Sequence, residues 1–236
     1  MKAAGRRSPG LAEGLATWMG MYLVASLAQV LVLGLTGRSN SDQTQIPIWA
    51  TAVAVSAMWA VYLASVPRFL PFDERPLQTL LRSTFTTRDI AIGIPLGVAC
   101  QYVLMNVVNW PLTKFFPDTF SFHEISQRAT DISNSAPGCW KILLVIVVVV
   151  GAPIVEEIVY RGAVQTHVQR TASTTAAIVG TAVLFAAIHM SPIEFPGLFA
   201  FALVLGYSRH RSGTLGLSIV THMAFNAAGL VLVLVK

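Results

Sequence analysis

Three short stretches carry side chains able to do hydrolytic chemistry at places where a lipid-embedded chain should have none. In "VVVVGAPIVEEIVYRG" (147–162), Glu156, Glu157 and Arg161 stand at the end of a strongly apolar run. His189 closes "AAIVGTAVLFAAIHM", and His222 with Asn226 interrupts "LGLSIVTHMAFNAAGLVLVLV". An ionisable group inside a bilayer costs at least about 2.5 kcal/mol on insertion scales, so such residues usually face a cavity or a partner and mark function. Glu157 and Arg161 are four apart with the acid on the N-terminal side, the favourable order for an ion pair on one helix face. Glu156 points about 100° away, with no cation near it in sequence, which makes it the candidate general base. Two plainer readings stand beside this: both glutamates pair with Arg161, or the span ends at Ala152-Pro153 and leaves them among headgroups.

A carboxylate, two imidazoles and an amide support two kinds of hydrolysis. Glu156 can take a proton from water while His189, His222 and Asn226 donate to a developing oxyanion. Alternatively Glu156, His189 and His222 hold zinc or another divalent metal that acidifies the water, or the histidines hold it while Glu156 is the base. The residues leave both open. No HExxH motif is present: His123-Glu124 is followed by Gln127 where the second histidine would stand.

The elements that must carry these groups are membrane helices. The chain has 236 residues, 54% of them hydrophobic and 11% charged, with a mean hydropathy of +0.64, whereas soluble domains average about 25% charged. Apolar runs near 14–36, 47–66, 89–110, 141–165, 174–190, 195–209 and 214–235 predict an all-α bundle of about seven transmembrane helices, the sixth the least defined. Residues 1–236 read as one integral membrane domain, with 140–235 holding the polar motifs. The first run follows Lys2, Arg6 and Arg7 but has no small-residue cleavage site, so it reads as a retained signal anchor. Two cysteines, Cys100 and Cys139, are too few for a disulfide framework and read as free thiols.

The net charge of +5 is distributed by topology. With the N-terminus cytoplasmic, eleven of the sixteen basic residues fall inside and Arg38, Lys114, Arg128, Lys141 and Lys236 outside. That asymmetry argues against a nucleic-acid partner. Arg68, Arg75, Arg82 and Arg88 fit an amphipathic segment on anionic lipid or plain positive-inside bias. At about 1.5 Å per residue, Glu156, His189 and His222 lie roughly 16, 22 and 14 Å from their cytoplasmic helix ends, overlapping depths on three helices. Pro153 removes a backbone donor just before the glutamates, so it should kink the helix or free a carbonyl.

With these residues in place, the chain resembles the intramembrane CAAX-protease and bacteriocin-processing family, also called the type II CAAX prenyl endopeptidase family. "EEIVYR" is similar to its EExxxR motif, "FAAIH" (Phe185, His189) to FxxxH, and "HMAFN" (His222, Asn226) to HxxxN, in the family's order over 150–230. The resemblance implies an endopeptidase in which Glu156 activates water and His189 is a second activating or metal-binding residue. His222 and Asn226 would serve the oxyanion or a metal, and Glu157, Arg161 and Phe185 would support them. The family has been described both as metalloproteases and as metal-independent glutamic proteases. Eukaryotic members trim prenylated CaaX proteins, while many bacterial members are linked to peptide processing, bacteriocin immunity or scaffolding. The compact chain fits a prokaryotic plasma-membrane member acting on a membrane-associated peptide or protein. A non-catalytic scaffold or immunity protein on the same fold is the rival reading. A proton-coupled transporter would use the same groups as a relay, but no internal repeat is found.

Overall fold

The computed structural model describes residues 10–37, 46–69, 85–121, 130–131 and 133–234. Each of the seven apolar runs forms a helix: α1 (Leu11–Leu35), α2 (Ile48–Phe69), α3 (Thr87–Phe115), α4 (Trp140–Thr171), α5 (Thr174–Ala187), α6 (Phe195–Ser212) and α7 (Gly216–Leu234). Five of them, α1 to α4 and α7, are long and apolar enough to cross a membrane, and no strand occurs among the described residues. The protein is an integral membrane helical bundle. The 14 residues of α5 fall short of the roughly 20 that a perpendicular crossing needs. The last turn of α6 is polar, with Arg209, His210 and Arg211 beside the last helical carbonyls. Arg75 and Arg82, on which the amphipathic-segment expectation mainly rests, lie outside the described residues, as do Lys2, Arg6, Arg7, His123, Glu124, Gln127 and Arg128.

Local chemistry sets several boundaries. Glu13 accepts from the Gly10 N–H at 2.8 Å at the start of α1. Thr86 and Asp89 form a reciprocal capping box opening α3, with Asp89 N donating to Thr86 Oγ1 at 3.2 Å and Thr86 N to Asp89 Oδ2 at 2.9 Å. Ser173 Oγ caps α5 through the Ala176 N–H. Gly213, at φ +73°, ends α6 in the left-handed conformation that favours glycine. Cys100 is buried and Cys139 exposed, both as free thiols. Trp110 and Trp140 are exposed near the ends of their spans, as interfacial anchors should be.

The bundle is graded from lipid to core. Only 11% of the apolar window of α1 is buried, against 50% for α7. Leu23, Val24, Leu27 and Leu31 of α1 accordingly face outward. Helix α7 is central, and α3 lies directly against it because "GIPLG" puts Gly93 and Gly97 one turn apart at the contact. A Cβ on Gly97 would sit 2.7 Å from Ala224 Cβ and 2.8 Å from the Phe225 nitrogen. This is the small-residue packing by which membrane helices approach closely. Gly97→Ala should therefore destabilise the protein by about 1–3 kcal/mol through overpacking. Gly20→Ala, where a Cβ meets nothing within 4 Å, should change little. Thermal unfolding of both variants in detergent checks the contrast.

Helix α4 is irregular where it matters. Two π-helical stretches, Ile146–Gly151 and Ile158–Val164, flank the α-helical turn Ala152–Glu157. Such widened turns are uncommon, and they occur often at functional sites.

Candidate active site

Four helices converge on one polar cluster. Along α4 the polar residues Glu157, Arg161 and Gln165 recur every fourth position and form a stripe inside the protein. Glu157 and Arg161 are completely buried, and Gln165 nearly so. Arg161 Nη1 donates to Glu157 Oε1 at 3.0 Å and Nη2 to the Ala202 carbonyl of α6 at 3.1 Å. Gln165 Nε2 reaches the Gly206 carbonyl, one turn further along α6, at 3.0 Å. The guanidinium carbon lies 4.7 Å from the centroid of the Phe185 ring of α5, a cation–π contact in dry surroundings. The glutamates thus stand within α4, which continues to Thr171, and the Glu157–Arg161 pair forms as the spacing predicts.

His222 of α7 lies between the two glutamates. Its Nδ1 is 3.1 Å from Glu157 Oε1, and its Nε2 is 3.8 Å from Glu156 Oε2. A carboxylate oxygen that already accepts from Arg161 can only accept again, so His222 Nδ1 carries a proton and Nε2 is left facing Glu156. The Phe185 and Phe201 rings hold the imidazole edge-on, with centroids 5.9 and 5.3 Å away. Exposure separates the adjacent acids: the Glu156 side chain is 16% exposed and that of Glu157 0%. Glu156 is therefore the more accessible of the two carboxylates.

His189 lies just past the end of α5, in a turn whose next residue, Met190, has φ +51°. Its Nδ1 is 2.9 Å from the Phe185 carbonyl, an acceptor only, so the proton is on Nδ1 and Nε2 is the basic nitrogen. Its ring packs 5.1 Å from that of Phe185. Phe185 thus touches Arg161, His189 and His222, and so links all three motifs. Asn226 is one turn beyond His222, but its Nδ2 donates to the Val148 carbonyl of α4 at 2.8 Å. It contacts the backbone below the glutamates.

A three-ligand metal centre does not fit these side chains as placed. Glu156 and His222 face one another, but no set of three His, Cys, Asp or Glu side chains among the described residues is arranged to hold an ion.

Sequence reasoning missed Gln165, although its i+4 spacing from Arg161 was a usable signal. It also missed Phe201, and Tyr62 and Tyr160, which lie close enough to Glu156 to feel its charge. No sequence pattern ties Tyr62 on α2 to Glu156 on α4.

No curated protein and no solved structure matches the chain. The model of the Rce1-like family, type II CAAX prenyl endopeptidases, matches residues 138–228, a stretch that contains every residue of the cluster except Tyr62. Helices α1 to α3 lie outside the matched stretch. Residues 138–228, from the start of α4 to the greater part of α7, are thus similar to the Rce1-like family of type II CAAX prenyl endopeptidases.

Proposed function

We propose that the protein is an intramembrane endopeptidase that cleaves membrane-associated peptides or proteins, including CaaX-like C-termini, with water activated by Glu156. The observation that carries this reading is the placement of His222. Its Nδ1 is tied to a buried, Arg161-paired Glu157, and its Nε2 faces the one glutamate of the pair that is accessible. Glu156 takes a proton from water as the oxygen attacks the scissile carbonyl. Donors around the site stabilise the oxyanion. The proton is then handed to the departing amine, so the peptide bond breaks with one water consumed. His222 bears on Glu156 directly, and His189, with its proton on Nδ1, is a second group able to hold the water.

The similarity of the site-bearing stretch to the Rce1-like family supports protease chemistry, and the intact set Glu156, His189, His222 and Asn226 favours an enzyme over a scaffold. The excess of basic residues on alternate loops supports a cytoplasmic N-terminus.

The test compares protein termini across the membrane proteome of cells expressing wild type or Glu156→Gln at equal levels. Cut sites confined to wild type are expected. Identical termini, with any cellular phenotype kept by the variant, would instead assign a scaffolding role. Metal content decides the ion-assisted alternative: near-stoichiometric zinc lost in His189→Ala and His222→Ala would replace the direct route.

A further inference from the structure

The hydrogen bond from Asn226 has a specific backbone cause. In the first π-helical stretch of α4 the Ala152 N–H donates to the Val147 carbonyl, five residues back. The same register sends the N–H of residue 153 to the Val148 carbonyl, but residue 153 is a proline and has none. The carbonyl left without a helical donor is the one to which Asn226 Nδ2 donates at 2.8 Å. In lipid an unmet carbonyl is especially costly because no water replaces the lost donor.

We infer that Asn226 is a positioning residue: its side-chain amide stands in for the N–H that Pro153 lacks and so fixes the turn on which Glu156 stands. Helix α7 then holds α4 at two points that bracket the proline, Val148 before it through Asn226 and Glu157 after it through His222. Because the two α7 residues are one turn apart, a slip of either contact moves Glu156 relative to His222. Asn226 thereby acts on the site through backbone, without needing to touch the reacting atoms.

The claim predicts that the two positions are coupled. In detergent, Asn226→Ala should lower the Tm by about 5 °C when residue 153 is proline, a typical shift for one lost buried partner. In a Pro153→Ala background, where a backbone N–H is restored, the same substitution should cost less than about 1 °C. Equal losses in both backgrounds, or none in either, would overturn the proposal. Should Asn226→Ala alone yield no folded protein, recovery of folded protein by Pro153→Ala supports the claim, and failure to recover it counts against it.

The effect on activity rests on the protease reading. Cut sites lost in Asn226→Ala should return in the double variant, whereas sites still lost despite a restored Tm would place Asn226 at the reacting atoms and overturn its positioning role. If wild type itself makes no cuts, the protease reading fails, and the stability cycle still decides what Asn226 does.

Discussion

Replacing Arg161 with alanine should cost about 3–5 kcal/mol of stability and most of the folded yield, because it leaves the Glu157 carboxylate buried with its cation gone. Glu157 is wholly enclosed, and Arg161 Nη1 is its charged partner at 3.0 Å. His222 Nδ1 would remain as a donor but brings no obligatory charge. Arg161→Lys should rescue little. The planar fork serves Glu157 and the Ala202 carbonyl at once while stacking on Phe185, and an ammonium cannot do all three. The informative control is the double variant Glu157→Gln/Arg161→Met, which removes both charges and should recover much of the loss, since the largest penalty comes from one unpaired charge. Unfolding in detergent and yield after size-exclusion chromatography read the effect. A normally folded Arg161→Ala protein would remove Arg161 from the account of what stabilises α4 and its contact with α6.

Glu156→Gln should do the reverse, leaving the fold intact while cleavage falls by about 10²–10⁴-fold, the usual contribution of a positioned base. The substitution keeps the volume of a side chain that is 16% exposed, so little packing is lost. It replaces a carboxylate opposite His222 Nε2 with an amide that cannot take a proton from water. Measured on purified protein against a substrate identified from cellular cut sites, the loss should appear in kcat, with Tm within about 1–2 °C of wild type. An equal fall in Tm would mean that Glu156, like its neighbour, is structural. Two adjacent glutamates in one helical turn are thus expected to fail in different ways, one as chemistry and one as architecture.

That division was partly legible from spacing. An i,i+4 acid–base pair is a property of one helix, so Glu157 with Arg161 could be read from the chain, as could seven helices from seven apolar runs and the overlapping depths of Glu156, His189 and His222. The membrane setting makes such readings direct, because a spanning segment outside a closed β-barrel must satisfy its own backbone and hence be helical. Pro153 likewise announced a missing donor, since that is a property of the residue alone.

Contacts between helices were not legible, because rotation about each helix axis and the register between helices are set by packing of all the side chains together. Glu156 looked isolated along α4, yet α7 brings His222 against both glutamates. Asn226 read as a donor toward the reaction, and the register of α7 on α4 directs it to the Val148 carbonyl. Gly93 and Gly97 allow α3 to close on α7 only because the facing turn presents Val220 and Ala224. By itself the sequence determined a helical membrane protein, its polar residues and the family that the stretch bearing them resembles. The tertiary structure decided which acid is accessible, which nitrogen of His222 faces it, and which carbonyl the proline left free, because these depend on groups brought together from separate helices.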